Sequence, residues 1–68
     1  MDTFSKRLKE LRTDNNLSMK DLAKKIDATD AAISNWENNI NEPKISYIIR
    51  LCNYFDVSAD YVLGLKDE

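Results

Sequence analysis

Residues Leu17–Pro43 read LSMKDLAKKIDATDAAISNWENNINEP, and this stretch decides the fold. It predicts two short helices joined by a tight turn and followed by a polar loop. Ser18 is placed to cap the first, its hydroxyl accepting a backbone N–H of the next turn, and Asp21 three residues on is a short version of the reciprocal capping partner. Leu22 and Ile26 lie four apart on one face while Lys20, Lys24 and Lys25 fall on the other, the division of a half-buried helix. Asp27 and Ala28 make the turn. Thr29 is a second N-cap candidate, after which Ala32, Ile33 and Trp36 point a narrow apolar stripe inward. The opposite stripe, Asp30, Ala31, Ser34, Asn35 and Asn38, is small or hydrogen-bonding and almost uncharged. Lys and Glu usually fill an idle helix face, so their absence favours a contact surface over a merely solvated one.

The flanking residues read as support for that pair. Phe4, Leu8 and Leu11 give an N-terminal helix its core stripe, with Lys6, Arg7, Lys9 and Glu10 on its solvated side and Asp2 or Thr3 as its cap. Arg12 falls four residues after Leu8, on or beside the buried face, where a guanidinium needs a partner. Glu37 is the candidate. Pro43 closes the polar loop that begins at Asn38. Ile45, Ile48, Leu51, Cys52 and Phe55 then follow the helical period and are expected to be core. Ser58 caps a last short helix in which Tyr61, Val62 and Leu65 share one side and which Gly64 ends. The tail, Lys66, Asp67 and Glu68, is expected in solvent. Strand alternation, repeats, linkers and low-complexity segments are absent, so the expected fold class is all-α, a single domain over residues 1–68 with the helix pair at about 18–38.

Composition narrows the function classes. Sixty-eight residues bury only a modest core, so good helix packing or pairing is needed for stability. With 43% apolar and 32% charged residues the chain suits a folded soluble domain, and it has neither a membrane-length apolar run nor a signal-peptide core. Cys52, the single cysteine, cannot form an internal disulfide, which points to a cytoplasmic location, and it reads as a small buried hydrophobe. Histidine, a glycine-rich phosphate loop, a metal-ligand cluster and an activated nucleophile are all missing. No enzyme activity, cofactor, metal or small-molecule ligand is therefore expected. The net charge of −2 is unevenly spread: residues 1–26 hold seven Lys/Arg against four Asp/Glu, or +3, and residues 27–68 hold three against eight, or −5. Weak non-specific attraction to nucleic acid follows.

Leu17, Ser18, Leu22, Ala23, Ile33, Trp36, Glu37, Glu42 and Pro43, with the run from Asp56 to Gly64, resemble the helix-turn-helix of the lambdoid-phage repressor and Cro family of xenobiotic-response-element-type regulators. The resemblance covers essentially the whole chain. It implies a compact five-helix bundle in which the second helix of the pair is the recognition helix of the DNA major groove. It also implies that Arg12 and Glu37 form a buried ion pair tying the first helix to that recognition helix. Asn16, Asp27 and Asn39 stand where the family commonly has glycine, so each is expected in a left-handed conformation, which Asn and Asp tolerate best among non-glycine residues.

Side-chain chemistry suggests the contacts such a helix pair would make. Ser18, Met19 and Lys20 at a helix N-terminus, with Asn38, Asn41 and Lys44 from the loop side, are expected at phosphates. Met19 departs from the Gln common in the family. Thr29, Asp30, Ala31, Ser34 and Asn35 are expected at bases. The Asn35 amide can pair with adenine N6 and N7, Ser34 can donate or accept, and the Ala31 methyl can rest on a thymine methyl. Asp30, where relatives carry Gln, Arg or Lys, can accept from cytosine N4 or repel phosphates. Tyr54, Val57, Tyr61 and Leu65 are candidate dimer contacts, Val57 and Leu65 being equally suited to the chain's own core. The expected function is sequence-specific binding of double-stranded DNA as a homodimer on a two-fold operator, by a phage or prophage repressor that acts through occupancy. The competing reading is a protein-interaction module, an antitoxin or anti-repressor, motivated by the −5 balance after Ile26.

Overall fold

The computed structural model describes residues 2–67. They form five helices: α1 Asp2–Asp14, α2 Met19–Ile26, α3 Asp30–Glu37, α4 Ile45–Phe55 and α5 Ala59–Leu63. No strand occurs among the described residues. Each helix sends at least one side chain into the same interior: Phe4 and Leu8 from α1, Leu22 from α2, Ile33 from α3, Leu51 from α4 and Val62 from α5 are almost completely buried. α1 packs on α3 and α5, α2 on α3 and α4, and α4 on α5. Burial of each such side chain contributes about 1.5–3 kcal/mol, and short helices like these are stable mainly through that shared core.

All five helices end in the same way. Asn16, Asp27, Asn39, Asp56 and Gly64 have φ of 57°, 57°, 57°, 56° and 84°, the left-handed conformation that turns a chain off a helix. In each case the next N–H reaches back five residues, Leu17 to Arg12, Ala28 to Ala23, Ile40 to Asn35, Val57 to Cys52 and Leu65 to Asp60, at 2.7–3.1 Å. The back-bond satisfies a carbonyl that the helix end would leave open. At three of these ends, Asn16-Leu17-Ser18, Asp27-Ala28-Thr29 and Asp56-Val57-Ser58, the left-handed residue is followed by an apolar residue and then by the cap of the next helix. Three residues thus stop one helix and start another.

The structure corrects four expectations. α1 already includes Asp2 and Thr3, so neither is its cap, and the position before them lies outside the described residues. Arg7 is not solvated: its guanidinium lies 4.4 Å over the Tyr61 ring and donates to the carbonyls of Tyr61 and Lys66. Ile45 is 78% exposed rather than core, because α4 buries the face of Ile48 and Leu51 and leaves the neighbouring stripe uncovered. Leu65 is 72% exposed, since α5 ends at Leu63 and Gly64 swings the chain away before Leu65 can join its apolar side. Of the tail, Lys66 and Asp67 are exposed, and Glu68 lies outside the described residues.

Gly64 is constrained twice. Its φ of 84° disfavours any side chain, and a Cβ there would come within 2.6 Å of Thr3 Cγ2 on α1. Gly64→Ala should therefore lower stability by more than about 1 kcal/mol, read as a shift of the urea midpoint at unchanged slope. Asp27→Gly, by contrast, relieves a left-handed aspartate and should be neutral or stabilising by up to about 1 kcal/mol.

Candidate nucleic-acid interface

The site begins with the ion pair that holds α3. Arg12 Nε donates to Glu37 Oε2 at 2.6 Å and Nη2 donates to Oε1 at 2.9 Å, a two-pronged contact. The Glu37 side chain is 2% exposed and that of Arg12 12%. The third nitrogen, Nη1, donates to the Leu17 carbonyl at 2.9 Å. One guanidinium therefore joins the end of α1, the residue before the α2 cap and the last residue of α3. The bonds to Glu37 raise the Arg12 pKa, against the effect of burial. Ser5 Oγ also donates to the Trp36 carbonyl at 2.5 Å, and the Trp36 ring packs on Tyr47 of α4 at 5.2 Å between centroids. Arg50 of α4 donates to the Ile26 carbonyl at 3.2 Å, just before the turn. The recognition candidate α3 is thereby fixed at its C-terminal end, and the end of α2 that leads into it is held by α4.

The outward face of α3 holds the residues expected at bases. Asp30 and Ala31 are exposed, and Ser34 and Asn35 are half-exposed. Thr29 Oγ1 caps the helix by accepting from Ala32 N at 3.1 Å, which leaves its O–H to donate outward. Asp30 Oδ1 accepts from Ala31 N at 3.0 Å, so half of that carboxylate serves the helix start. The Asn35 amide has no hydrogen-bond partner among the described residues, and its donor and acceptor are open together. Asn38 differs, because its Nδ2 donates back to the Ser34 carbonyl at 2.8 Å and to Ser34 Oγ at 3.3 Å.

At α2 the expected reciprocal cap is present, Ser18 Oγ accepting from Asp21 N at 3.0 Å and Asp21 Oδ2 from Ser18 N at 3.2 Å. The backbone N–H and hydroxyl of Ser18 hold the Asp21 carboxyl below its ordinary pKa. Met19 and Lys20 retain free backbone N–H groups there among the described residues, while the Met19 side chain packs on the core. Lys20 and Lys44 are exposed and belong to no ion pair among the described residues. The composition-level reading missed a second helix start. Lys44 precedes α4 without a side-chain cap, and the N–H groups of Ile45 and Ser46 have no acceptor among the described residues. A Lys in a position where Ser, Thr, Asp or Asn is usual was the available signal. Asn41 is exposed in the same loop. Among the described residues no side-chain hydrogen bond or ion pair joins the loop residues Asn41 and Lys44 to the α3 face. The Cys52 thiol is half-buried and its pKa is raised by burial, which suits an unreactive thiol.

The helix-turn-helix family matches residues 8–62, and the chain belongs to it. It is 36% identical over 66 residues to the HTH-type transcriptional regulator ImmR of Bacillus subtilis, covering 97% of this chain and 51% of that one. The N-terminal DNA-binding domain of SinR from Bacillus subtilis superimposes with a TM-score of 0.87 at 26% identity over the full length of both chains. The P22 c2 repressor, in complex with a synthetic operator, superimposes with a TM-score of 0.84 at 24% identity, covering 91% of this chain and 94% of that one. The chain spans about half the length of ImmR.

Arg12→Ala strands Glu37 as a buried, unpaired charge, at a cost of about 3–5 kcal/mol. A domain of this size holds roughly 3–10 kcal/mol in all, so thermal scans should show a collapse of the melting transition. The double change Arg12→Met with Glu37→Met leaves no orphan charge and should recover most of the loss. Asp21 carries the pH test. Its lowered pKa contributes stability that is present above the ordinary carboxylate pKa of about 3.9 and is lost as pH falls through the lower, folded value. The gap in urea midpoint between the parent chain and Asp21→Asn should be full at neutral pH and narrow in acid.

Proposed function

We propose that this chain is the DNA-binding domain of a transcriptional repressor of phage or prophage type, which occupies a two-fold operator and so blocks polymerase. The observation that carries the reading is the outward face of α3: Ala31 and Ser34 short, Asn35 with a free amide, and no Lys or Arg along it. A side-chain layer this thin lets the helix backbone sit deep in a major groove, where base edges are distinguishable. Asn35 reads adenine through N6 and N7, Ser34 donates or accepts at a neighbouring base, and Ala31 rests on a thymine methyl. Thr29 donates its hydroxyl to a phosphate or base. Asp30 keeps one oxygen for cytosine N4. The likeness to the SinR DNA-binding domain and to ImmR supports the same assignment.

Phosphates take the two helix starts. The N–H groups of Met19 and Lys20 with the Lys20 ammonium form one anion site beside Ser18, and those of Ile45 and Ser46 with the Lys44 ammonium form the other. Asn41 adds an amide from the loop. Asn38 reaches a phosphate only by releasing Ser34. Since residues 27–68 carry −5, attraction to DNA at large is weak, and discrimination rests on the base contacts.

Selection of duplexes from a random DNA pool tests the reading. An enriched inverted repeat, with half-sites about one helical turn apart, is the expected outcome, and no enrichment would favour a protein-interaction role instead. On the selected site, Asn35→Ala should lose about 1–3 kcal/mol of discrimination at one base pair per half-site. Lys44→Ala should weaken all sequences alike and lower the salt slope by about 1. Unchanged binding in both variants would defeat the proposed docking.

A further inference from the structure

On the proposed docking, the start of α4 takes a phosphate while the start of α3 reads bases, so the distance between the two has to be set. The covalent link does not set it. In the loop Asn38–Lys44 every residue except Pro43 is exposed, and so little packing there fixes where α4 lies. The fixing contacts come from one turn of α4 itself. Tyr47 and Arg50 stand three residues apart, hence on one side of the helix. The Tyr47 ring meets the Trp36 ring near the end of α3 at 5.2 Å between centroids, and the Arg50 guanidinium lies 5.0 Å from the centroid of the same Tyr47 ring. Arg50 Nη1 also donates to the Ile26 carbonyl at 3.2 Å. Ile26 is the last residue of α2, and Asp27-Ala28-Thr29 leads straight from it into α3. Two neighbouring side chains of α4 thus reach the C-terminal ends of both helices of the pair.

Resting on the proposed function, we infer that Arg50, aligned by Tyr47, is a positioning residue for DNA reading: it sets the register between the phosphate grip at the start of α4 and the base-reading end of α3. Arg12 fixes α2 against α3; Arg50 fixes that pair against α4.

The chemistry of Arg50 suits position better than stability. The residue is exposed and belongs to no ion pair among the described residues, and a cation on a ring at the surface adds little to folding. Its target carbonyl lies at a helix C-terminus, where backbone acceptors are left over and a cation is favoured. A guanidinium stacked on a ring presents its N–H groups in a fixed plane, as an ammonium does not, so the bond to Ile26 has a direction as well as a length. Displacement at Ile26 is carried through the turn to Thr29, Asp30 and Ala31, and directional contacts of the kind proposed for them tolerate little of it.

The competing role for an exposed arginine is a phosphate contact of its own, and the two roles are separable. Arg50→Met keeps the length of the side chain and removes the donor, whereas Tyr47→Leu removes the aligning ring and keeps the cation. Each is measured on the selected duplex and on a random one, well below its melting temperature. Both variants should lose about tenfold in affinity for the selected duplex, the share of roughly one bidentate base contact, with random-duplex affinity and salt slope close to those of the parent chain. Uniform weakening on both duplexes, with a salt slope lowered by about 1 in Arg50→Met, would make Arg50 a phosphate contact and overturn the inference. So would discrimination that stays intact in Arg50→Met, with or without a lower melting temperature. Should Tyr47→Leu fail to fold, Arg50→Met decides alone. The geometry also has a readout that needs no DNA. Amide residual dipolar couplings of α2, α3 and α4 should fit one alignment in the parent chain, and those of α4 should need a second in Arg50→Met. If selection recovers no DNA site, the proposed function has failed, and these couplings decide the hold of α4 on the helix pair: a single alignment kept in Arg50→Met overturns it.

Discussion

Everything the site does depends on one buried guanidinium. Arg12 spends all three of its nitrogens inside the chain, two on Glu37 and one on the Leu17 carbonyl. Desolvating such a pair is costly, and only a full set of hydrogen bonds offsets the cost. The set is complete here, for among the described residues no buried side-chain nitrogen or oxygen lacks a partner. What the arrangement contributes is position: the end of α3 and the start of α2 are referred to the same atom group, so the angle between the two helices cannot drift without breaking a charged contact. Stability by itself would be served as well by apolar residues of similar volume.

The outward side of α3 is built by subtraction. Its caps use Thr29 and half of Asp30, its far end turns Asn38 back on Ser34, and what remains for a ligand is a methyl, hydroxyls, one free amide and the second Asp30 oxygen. Positive charge is kept at the margins, on Lys20 and Lys44 next to helix starts whose first N–H groups are unpaired among the described residues. On the proposed function this division separates holding from reading: cations and backbone dipoles would set the register of a polyanion, and the short side chains of α3 would carry the sequence information.

Much of the fold is legible in the sequence because local chemistry and tertiary packing agree. Ser18, Thr29 and Ser58 each precede an apolar helical period and each proves to be a cap. The left-handed turns at Asn16, Asp27 and Asn39 could be placed from the resemblance despite the near absence of glycine. Asp56 escaped notice, although it stands before Val57 and Ser58 just as Asp27 stands before Ala28 and Thr29. Ile45 and Leu65 were misplaced for one reason, that helical spacing shows which residues share a face but not how wide a face the neighbouring helices can cover. The engagement of Arg7 by Tyr61 was invisible, since a contact across 54 positions of sequence leaves no trace in local periodicity. Of the candidate interface, the identity of the exposed face was readable. The uncapped start of α4 appears only once hydrogen bonds are traced.

That same Arg7 contact, together with the close approach of Gly64 to Thr3, closes the molecule end to end, whereas the other joints link segments closer together in sequence. Closure of the longest loop carries the greatest entropic cost, and α5 has only five residues with which to secure it. The seam between the two ends of the chain is consequently where the bundle is expected to breathe. α2 and α3, clasped by a one-turn connection and by the C-terminal half of α1, keep their mutual geometry while that seam opens. A helix pair insulated in this way can tolerate strain at the chain's exit without losing its alignment.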